Sequence, residues 1–335
     1  MRRGPIAVLA CVLALAASGH AAAASWAKGQ IRVVVEHGLM GPSVGAFRAG
    51  QPLTRRELGE ALAALTGEAQ VVVDPERQVL MRELERSLVR AAGLRRAAAA
   101  IRREAAASGL RPPRRLGEEV VARLLGLRFN HPAAKDFREL RPGDGATRAE
   151  AAYSLARLLA TSDGARRSVA ALAETLALPA YTEWQRRVLT RAVSFVGYPY
   201  VWGGTSERRQ TLFGVTSRGG FDCSGFVWRV YKTHPFAGAP GLQAVLRGRT
   251  TYELSGEFPR RRRIRLANLR PGDLVFFGAR GPSSSPSEVT HMGIYAGGGW
   301  FVHSSSQGTT LTTLSGWYAD RFAWGRRPLR EAGLA

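Results

Sequence analysis

One short stretch concentrates the chemistry of this chain: GGFDCSGFVWRVY, Gly219 to Tyr231. Its cysteine has three candidate roles: a buried structural thiol, half of a disulfide, or a nucleophile. Gly219, Gly220 and Asp222 read as a turn. From Cys223 onward, apolar residues recur at i, i+3, i+4 and i+7 as Cys223, Phe226, Val227 and Val230. That is the phase of a helix face packing inward, with Cys223 in the first turn. Unpaired amides and the helix dipole favour a thiolate at that position, and an adjacent imidazolium lowers the thiol pKa further. Asp222 suits the N-cap, and Gly225 leaves room for something to approach the first turn closely.

A thiol nucleophile needs a base. Of the six histidines, His20 falls in the leader and His37 in an unassigned segment. His131, before Pro132, reads as a loop residue, and His234 follows the cysteine helix. His291 and His303 remain, each in a predicted strand, with the turn AGGGW between them. Adjacent antiparallel strands can bring them together, and by parity they share a face if the turn does not shift the register. A base on one strand and an orienting group on the next is a triad arrangement. One cysteine and two strand histidines do not make a zinc ligand set, so no metal or cofactor is expected.

The elements that position these residues change character along the chain. Gln51 to Leu178 is rich in Ala, Leu, Arg and Glu with a period near 3.6, which reads as helical. Arg95 to Arg115 reads as an exposed Arg/Ala-rich helix followed by a turn, and Tyr181 to Phe195 as a further amphipathic helix. Beyond Gly197, glycines and aromatics become frequent and short β-rich runs appear: DLVFFG from Asp273, HMGIYAG from His291 and WFVHSS from Trp300. This is an antiparallel meander. The expected architecture is α+β: a mainly helical domain over residues 51–178, then a domain over 181–330 whose cysteine helix packs on an antiparallel sheet.

The N-terminus reads as a cleaved secretory signal over residues 1–24. Arg2 and Arg3 precede the apolar run Ile6 to Ala17, and Ala22 to Ala24 suit cleavage. The apolar run is about a dozen residues, too short to span a bilayer comfortably, and no later segment is a plausible transmembrane span. Cleavage removes Cys11, the only other cysteine, so Cys223 has no internal disulfide partner. A lone thiol in an exported protein is either inert and buried or chemically used. The formal charge of +22 draws an exported protein to polyanions such as wall polymers or anionic lipid. No nucleic-acid-binding motif accompanies that charge, so nucleic acid is not the expected partner. Arg260 to Arg263 reads as a solvated loop.

Three stretches of the helical half look alike: LTRRELGEALAAL from Leu53, VLMRELERSLVRA from Val79 and ATRAEAAYSLARLL from Ala146. Thr54 with Glu57 and Thr147 with Glu150 fit capping boxes, and the middle copy has Leu80 in place of the threonine. These stretches resemble S-layer-homology repeats, whose helices often open with Thr-Arg-Ala-Glu. That resemblance implies attachment to anionic cell-wall polymers.

In the second half, YPYVWGG from Tyr198, GGFDCSGFV from Gly219, LRPGDLVFF from Leu269 and THMGIYAGGGWFVHSS from Thr290 resemble, in order, the motifs of NlpC-type cell-wall peptidases. These are papain-like cysteine endopeptidases of peptidoglycan stem peptides. The resemblance implies Cys223 as nucleophile, His291 as base and His303 as orienting residue. It places Tyr200 at the oxyanion or substrate. Asp222 and Ser224 flank the thiol, with substrate contact and turn-and-cap roles both open. Trp202, Pro271 and Asp273 are expected to be architectural. It further implies a secreted, wall-associated enzyme cutting between D-glutamate and a diamino acid; amidase or acyl-transfer chemistry on the same fold, or a non-catalytic wall-binding role, are the competing readings. Ser206 to Arg218 is an insertion relative to the family pattern, beside the expected cleft.

Overall fold

The computed structural model describes residues 25–233 and 235–334. The expected signal segment, with Cys11 and His20, and the residue His234 lie outside the described residues.

The first half is helical, as its period predicts. Helix α1 (Lys28–Glu36) fills part of the unassigned segment, followed by α2 (Arg55–Thr66), α3 (Met81–Ala91), α4 (Arg95–Ala107) and α5 (Leu116–Leu124). Then come α6 (Arg148–Leu159) and α7 (Asp163–Glu174). The expectation of an exposed helix near Arg95 is corrected: α4 buries Ala97, Ala98, Ile101 and Ala105. Its alanines allow a close crossing with α5, where a Cβ on Gly117 would stand 1.8 Å from the Ala98 carbonyl oxygen.

The three look-alike stretches converge just before α2, α3 and α6. Leu53 N–H donates to Ala146 C=O (2.9 Å), Ala146 to Val79 (2.8 Å) and Val79 back to Leu53 (2.9 Å). This closed ring satisfies the backbone of all three entry segments at once. A second set of contacts follows the same rotation. Arg55 of the first copy reaches Glu83 of the second at 3.2 Å, and Arg148 of the third reaches Glu57 of the first. The second copy has Met81 at the equivalent position, so Glu150 of the third gains no such arginine. Glu150 is buried, and burial pushes its carboxyl up to about 7.

One capping expectation is corrected for that reason. Thr54 and Glu57 form a reciprocal box, whereas Thr147 caps through its hydroxyl alone because Glu150 turns inward. In the middle copy Leu80 has no hydroxyl, yet Glu83 still accepts the Leu80 amide at 3.0 Å.

The second half begins with α8 (Glu183–Ser194) and the short strands β1 (Thr205–Ser206), β2 (Gln210–Leu212), β3 (Val215–Ser217) and β4 (Gly220–Phe221). Helices α9 (Cys223–Tyr231), α10 (Pro240–Val245) and α11 (Thr251–Gly256) follow. The main sheet comprises β5 (Leu274–Gly278), β6 (Val289–Gly297), β7 (Trp300–Ser305), β8 (Gly308–Thr313) and β9 (Phe322–Arg326). Their order is β8-β7-β6-β5-β9, and every neighbouring pair is antiparallel. The architecture is therefore α+β, with α9 packed against β6 and β7. Among the described residues no helix is long and apolar enough to cross a membrane.

Buried apolar residues of both halves form one contiguous core. Arg123 on α5 fastens them: it is 1% exposed, pairs with Glu119 (2.5 Å) and Glu85 (3.5 Å), and donates to the Gly197 carbonyl at 2.8 Å. Removing one partner of a buried charge cluster strands the others. Arg123→Met is therefore expected to lower unfolding free energy by roughly 3–5 kcal/mol. Denaturant unfolding checks this; a loss under about 1 kcal/mol would show that the cluster does not hold the halves together.

Candidate active site

The cysteine helix is built as its spacing predicts. Asp222 is the N-cap of α9 and accepts the Gly225 amide. Glycine is required at 225 because the Gly204 carbonyl oxygen comes within 1.8 Å of where a Cβ would stand. Thus the first helical turn is pressed onto the end of the YPYVWGG segment. Ser224 donates to Asp222 at 3.1 Å, and Arg249 donates to Ser224 (2.7 Å), Asp222 (3.2 Å) and the Gly203 carbonyl (2.8 Å). Asp222 and Ser224 thereby bond each other and Arg249, a residue that the sequence reading did not single out. Its signal would have been an arginine followed by a capping threonine, too common to notice.

His291 and His303 are brought together by an irregular hairpin. Gly297 pairs with Trp300 at the turn, but the register shifts before Tyr295, and from there Gly293 pairs with His303. Had the turn-end register continued, His303 would oppose Ile294 and face away from His291. The bulge restores parity. His291 Nε2 lies 2.8 Å from His303 Nδ1, and Gly293 makes room for this: a Cβ there would sit 2.7 Å from the Phe301 ring and 3.0 Å from His303 Cβ. Phe277, Phe301 and Tyr318 pack around the two imidazoles, with ring centroids between 4.7 and 6.0 Å.

That apolar box sets the electrostatics. Burial lowers His291 to about 4 and takes His303 well below the ordinary imidazole value, helped by its neighbour His291. For the thiol, the expectation from helix position is reversed. Burial, with the Asp222 charge adding to it, pushes Cys223 up to about 12, although amides of Ser224, Met292 and Cys223 act the other way. The thiol and both imidazoles are therefore uncharged at neutral pH.

Cys223, Tyr200 and His291 line one cleft of about 400 Å³; His303 stands behind His291. Burial, then the neighbouring Cys223, raises the Tyr200 hydroxyl above its ordinary value, so it stays a protonated donor. Trp202, expected to be packed, is instead 55% exposed and lines the cleft. Asp273 is architectural as expected, buried and paired with Arg327 at 2.8 Å.

The helical half supplies the facing wall, which no motif announced. Asn130 pairs with Tyr200 twice, donating to its carbonyl and accepting its amide, each at 2.8 Å. Asp136 accepts the Trp202 amide at 3.0 Å. His131 sits in a loop as expected but is buried, 2.8 Å from Glu139. Within the Ser206–Arg218 insertion, β2 and β3 form a hairpin whose second strand packs on residues 133–138, and Glu207 pairs with Arg229 of α9 at 2.6 Å. Among the described residues no group of three or more His, Cys, Asp or Glu is arranged to hold a metal ion.

Residues 197–327 match the NlpC/P60 family. The chain is 33% identical over 132 residues to the probable peptidoglycan endopeptidase LytE of Bacillus subtilis, covering 39% of this chain and 30% of that one. It is 33% identical over 141 residues to murein DD-endopeptidase MepH of Escherichia coli, covering 42% and 44%. A gamma-D-glutamyl-L-lysine dipeptidyl-peptidase of Bacillus subtilis is 27% identical over 128 residues, covering 38% and 34%. Among solved structures, the peptidoglycan hydrolase RipB of Mycobacterium tuberculosis is 27% identical with a TM-score of 0.32, covering 43% and 64%. The matches span less than half the length of these three curated relatives. Residues 197–327 therefore make up an NlpC/P60 domain, which contains the Cys223 helix and both histidine strands.

Proposed function

We propose that this protein is an exported cysteine endopeptidase that hydrolyses a peptide or isopeptide bond in peptidoglycan stem peptides, the γ-D-glutamyl–diamino acid bond being the preferred target. The observation that carries this reading is the shared cleft: a cysteine at a helix start, and across from it an imidazole whose far nitrogen is bonded to a second imidazole. Similarity to a gamma-D-glutamyl-L-lysine dipeptidyl-peptidase supports the choice of bond.

In this reading the residues take the following roles. With Nε2–H donated to His303 Nδ1, His291 keeps a lone pair on Nδ1 to take the Cys223 proton. Sulfur attacks the carbonyl carbon as that proton moves, so charge separates only as the oxyanion forms. The Cys223 backbone amide and the Tyr200 hydroxyl stabilise the oxyanion. The His291 imidazolium then protonates the departing amine, the C–N bond breaks, and a thioester remains. Water, giving a proton to His291, attacks the thioester and releases the thiol. His303 holds the tautomer and ring orientation.

In this reading the helical stretch 51–178 attaches the protein to the wall, besides lending one side of the cleft to the peptidase unit over 181–330. The ring joining the three look-alike stretches, the Thr147–Glu150 tetrad and the basic charge support an anionic wall polymer as its partner. A signal over residues 1–24 would bring the chain to the cell envelope.

Digestion of purified peptidoglycan followed by mass spectrometry is the direct test. The wild-type protein should release fragments with a new diamino-acid N-terminus, and Cys223→Ala should lose about 10⁴-fold or more of that activity. Comparable release by the variant, or release of intact stem peptides beginning with alanine, would overturn the assignment; the latter outcome marks an amidase.

The neutral resting dyad predicts a particular pH behaviour. Because His291 must be unprotonated to act and titrates near 4, hydrolysis should keep its acid limb near that pH. Alkylation of the free enzyme by iodoacetamide should be slow at neutral pH and rise steadily with alkali, since the thiol titrates near 12. A labelling plateau between pH 5 and 8 would instead reveal a preformed thiolate–imidazolium pair.

A further inference from the structure

The run Arg260 to Arg263 is solvated, as its sequence suggests, but its backbone is held. Arg260–Arg262 form one 3₁₀ turn, and the residues after it are stitched to the β9 edge of the main sheet. Ile264 N–H donates to the Gly325 carbonyl at 3.0 Å, and Gly325 N–H returns to Ile264 at 2.7 Å. Arg327 secures the far end of the segment, donating to the Asn268 carbonyl at 2.7 Å while paired with Asp273. The Arg263 guanidinium carbon lies 3.4 Å from the centroid of the Trp324 ring. On this fixed ledge, residues 260–270 carry six arginines and no acidic residue.

The ledge lines an open groove of about 1050 Å³, walled by Arg261, Arg262, Arg263, Arg265 and Arg270 and by Arg330 from the short helix Pro328–Glu331. Among the described residues none of these six pairs with a carboxylate. The acids close by are committed, Asp273 to Arg327 and Glu331 to Arg326. Burial, then the charge of Arg260, lowers the Arg263 pKa from its ordinary value. Like charges thus crowd together here, and a bound anion relieves their repulsion. The groove shares no lining residue with the Cys223 cleft, and β5 separates β9 from the His291 strand.

The lining also restricts the kind of anion. It is almost entirely donor: its side-chain acceptors are Asn268 and Glu331, and Glu331 is already bonded to Arg326. An acidic saccharide brings hydroxyl donors that find few acceptors here. A phosphodiester chain instead offers two non-bridging acceptor oxygens and one charge per link, which suits guanidinium forks. Nucleic acid adds bases that need an aromatic face to stack on, and Trp324 is buried beneath Arg263. A flat bilayer surface would leave the floor of the groove unfilled. We propose that this groove binds an extended polyol-phosphate chain and so holds the peptidase unit itself on a phosphodiester polymer. The site is separate from the attachment assigned to the helical stretch, and it does not depend on the hydrolytic reading.

The test is titration of the full chain with poly(glycerol phosphate) across about 50–200 mM salt. Arg261→Gln, Arg262→Gln and Arg265→Gln together should weaken binding roughly 10–100-fold at the lowest salt and reduce the log–log salt slope by about 2. A control triple, Arg95→Gln, Arg96→Gln and Arg103→Gln, removes the same charge from α4 and should change affinity less than about threefold. All six side chains are exposed, so neither triple disturbs the fold. Equal losses in the two triples would reduce the effect to net charge and overturn the proposal. So would an absence of binding, or tighter binding of poly-L-glutamate or of a single-stranded oligonucleotide of equal charge. Stronger groove-dependent binding to phosphatidylglycerol vesicles than to the polymer would assign the groove to a lipid surface instead and overturn it too. Because binding is read without turnover, each outcome stands whether or not the cleft cuts peptidoglycan.

Discussion

The site depends on one extended segment, Tyr198 to Trp202, being held along both edges. Such a segment presents amides and carbonyls on two sides, and burying it requires partners for both. The sheet domain supplies one set: Phe221 donates to Pro199, Val201 to Phe221, and Thr309 to Tyr198. The helical half supplies the other through the paired Asn130–Tyr200 contacts and the Asp136–Trp202 bond. The cleft is therefore a joint product of both halves, with Arg123 fastening Gly197 just upstream.

The same enclosure decides the electrostatics. A helix N-terminus favours a negative charge by about 0.3–1 kcal/mol, and about 2 kcal/mol at best. Moving the thiol from 9.0 to about 12 corresponds to roughly 4 kcal/mol in the opposite direction. Burial wins, and the thiol rests neutral. The aromatic box around His291 and His303 acts in the same sense on the imidazoles. In the proposed mechanism, charge separation is then deferred to the moment when oxyanion donors can share it.

Much of this was legible because it is local. The apolar phase from Cys223 to Val230 set a helix whose start coincides with the thiol, and Asp222 is a capping residue by type. Strands β5, β6 and β7 alternate or run apolar between glycine turns; β8, with GTTLTT, has no such contrast and passed unread. The Thr54–Glu57 box is also local. Thr147 and Glu150 have the same spacing, but the box does not close there. Met81 stands 69 positions away where an arginine would have to be, and no local pattern carries that information.

The sequence by itself determined the chemistry on offer: one thiol at a helix start, two histidines on neighbouring strands, and a basic helical half made of three related segments. These follow from side-chain type and from periods of 3.6 and 2, which are properties of short stretches. Only the tertiary structure decided how they are used. A single bulge between Tyr295 and Gly297 put His303 on the face of His291, desolvation reversed the expected thiol shift, and Asn130, His131 and Asp136 became one wall of the cleft. Register, burial and long-range pairing depend on residues distant in the chain, so no window along the sequence contains them.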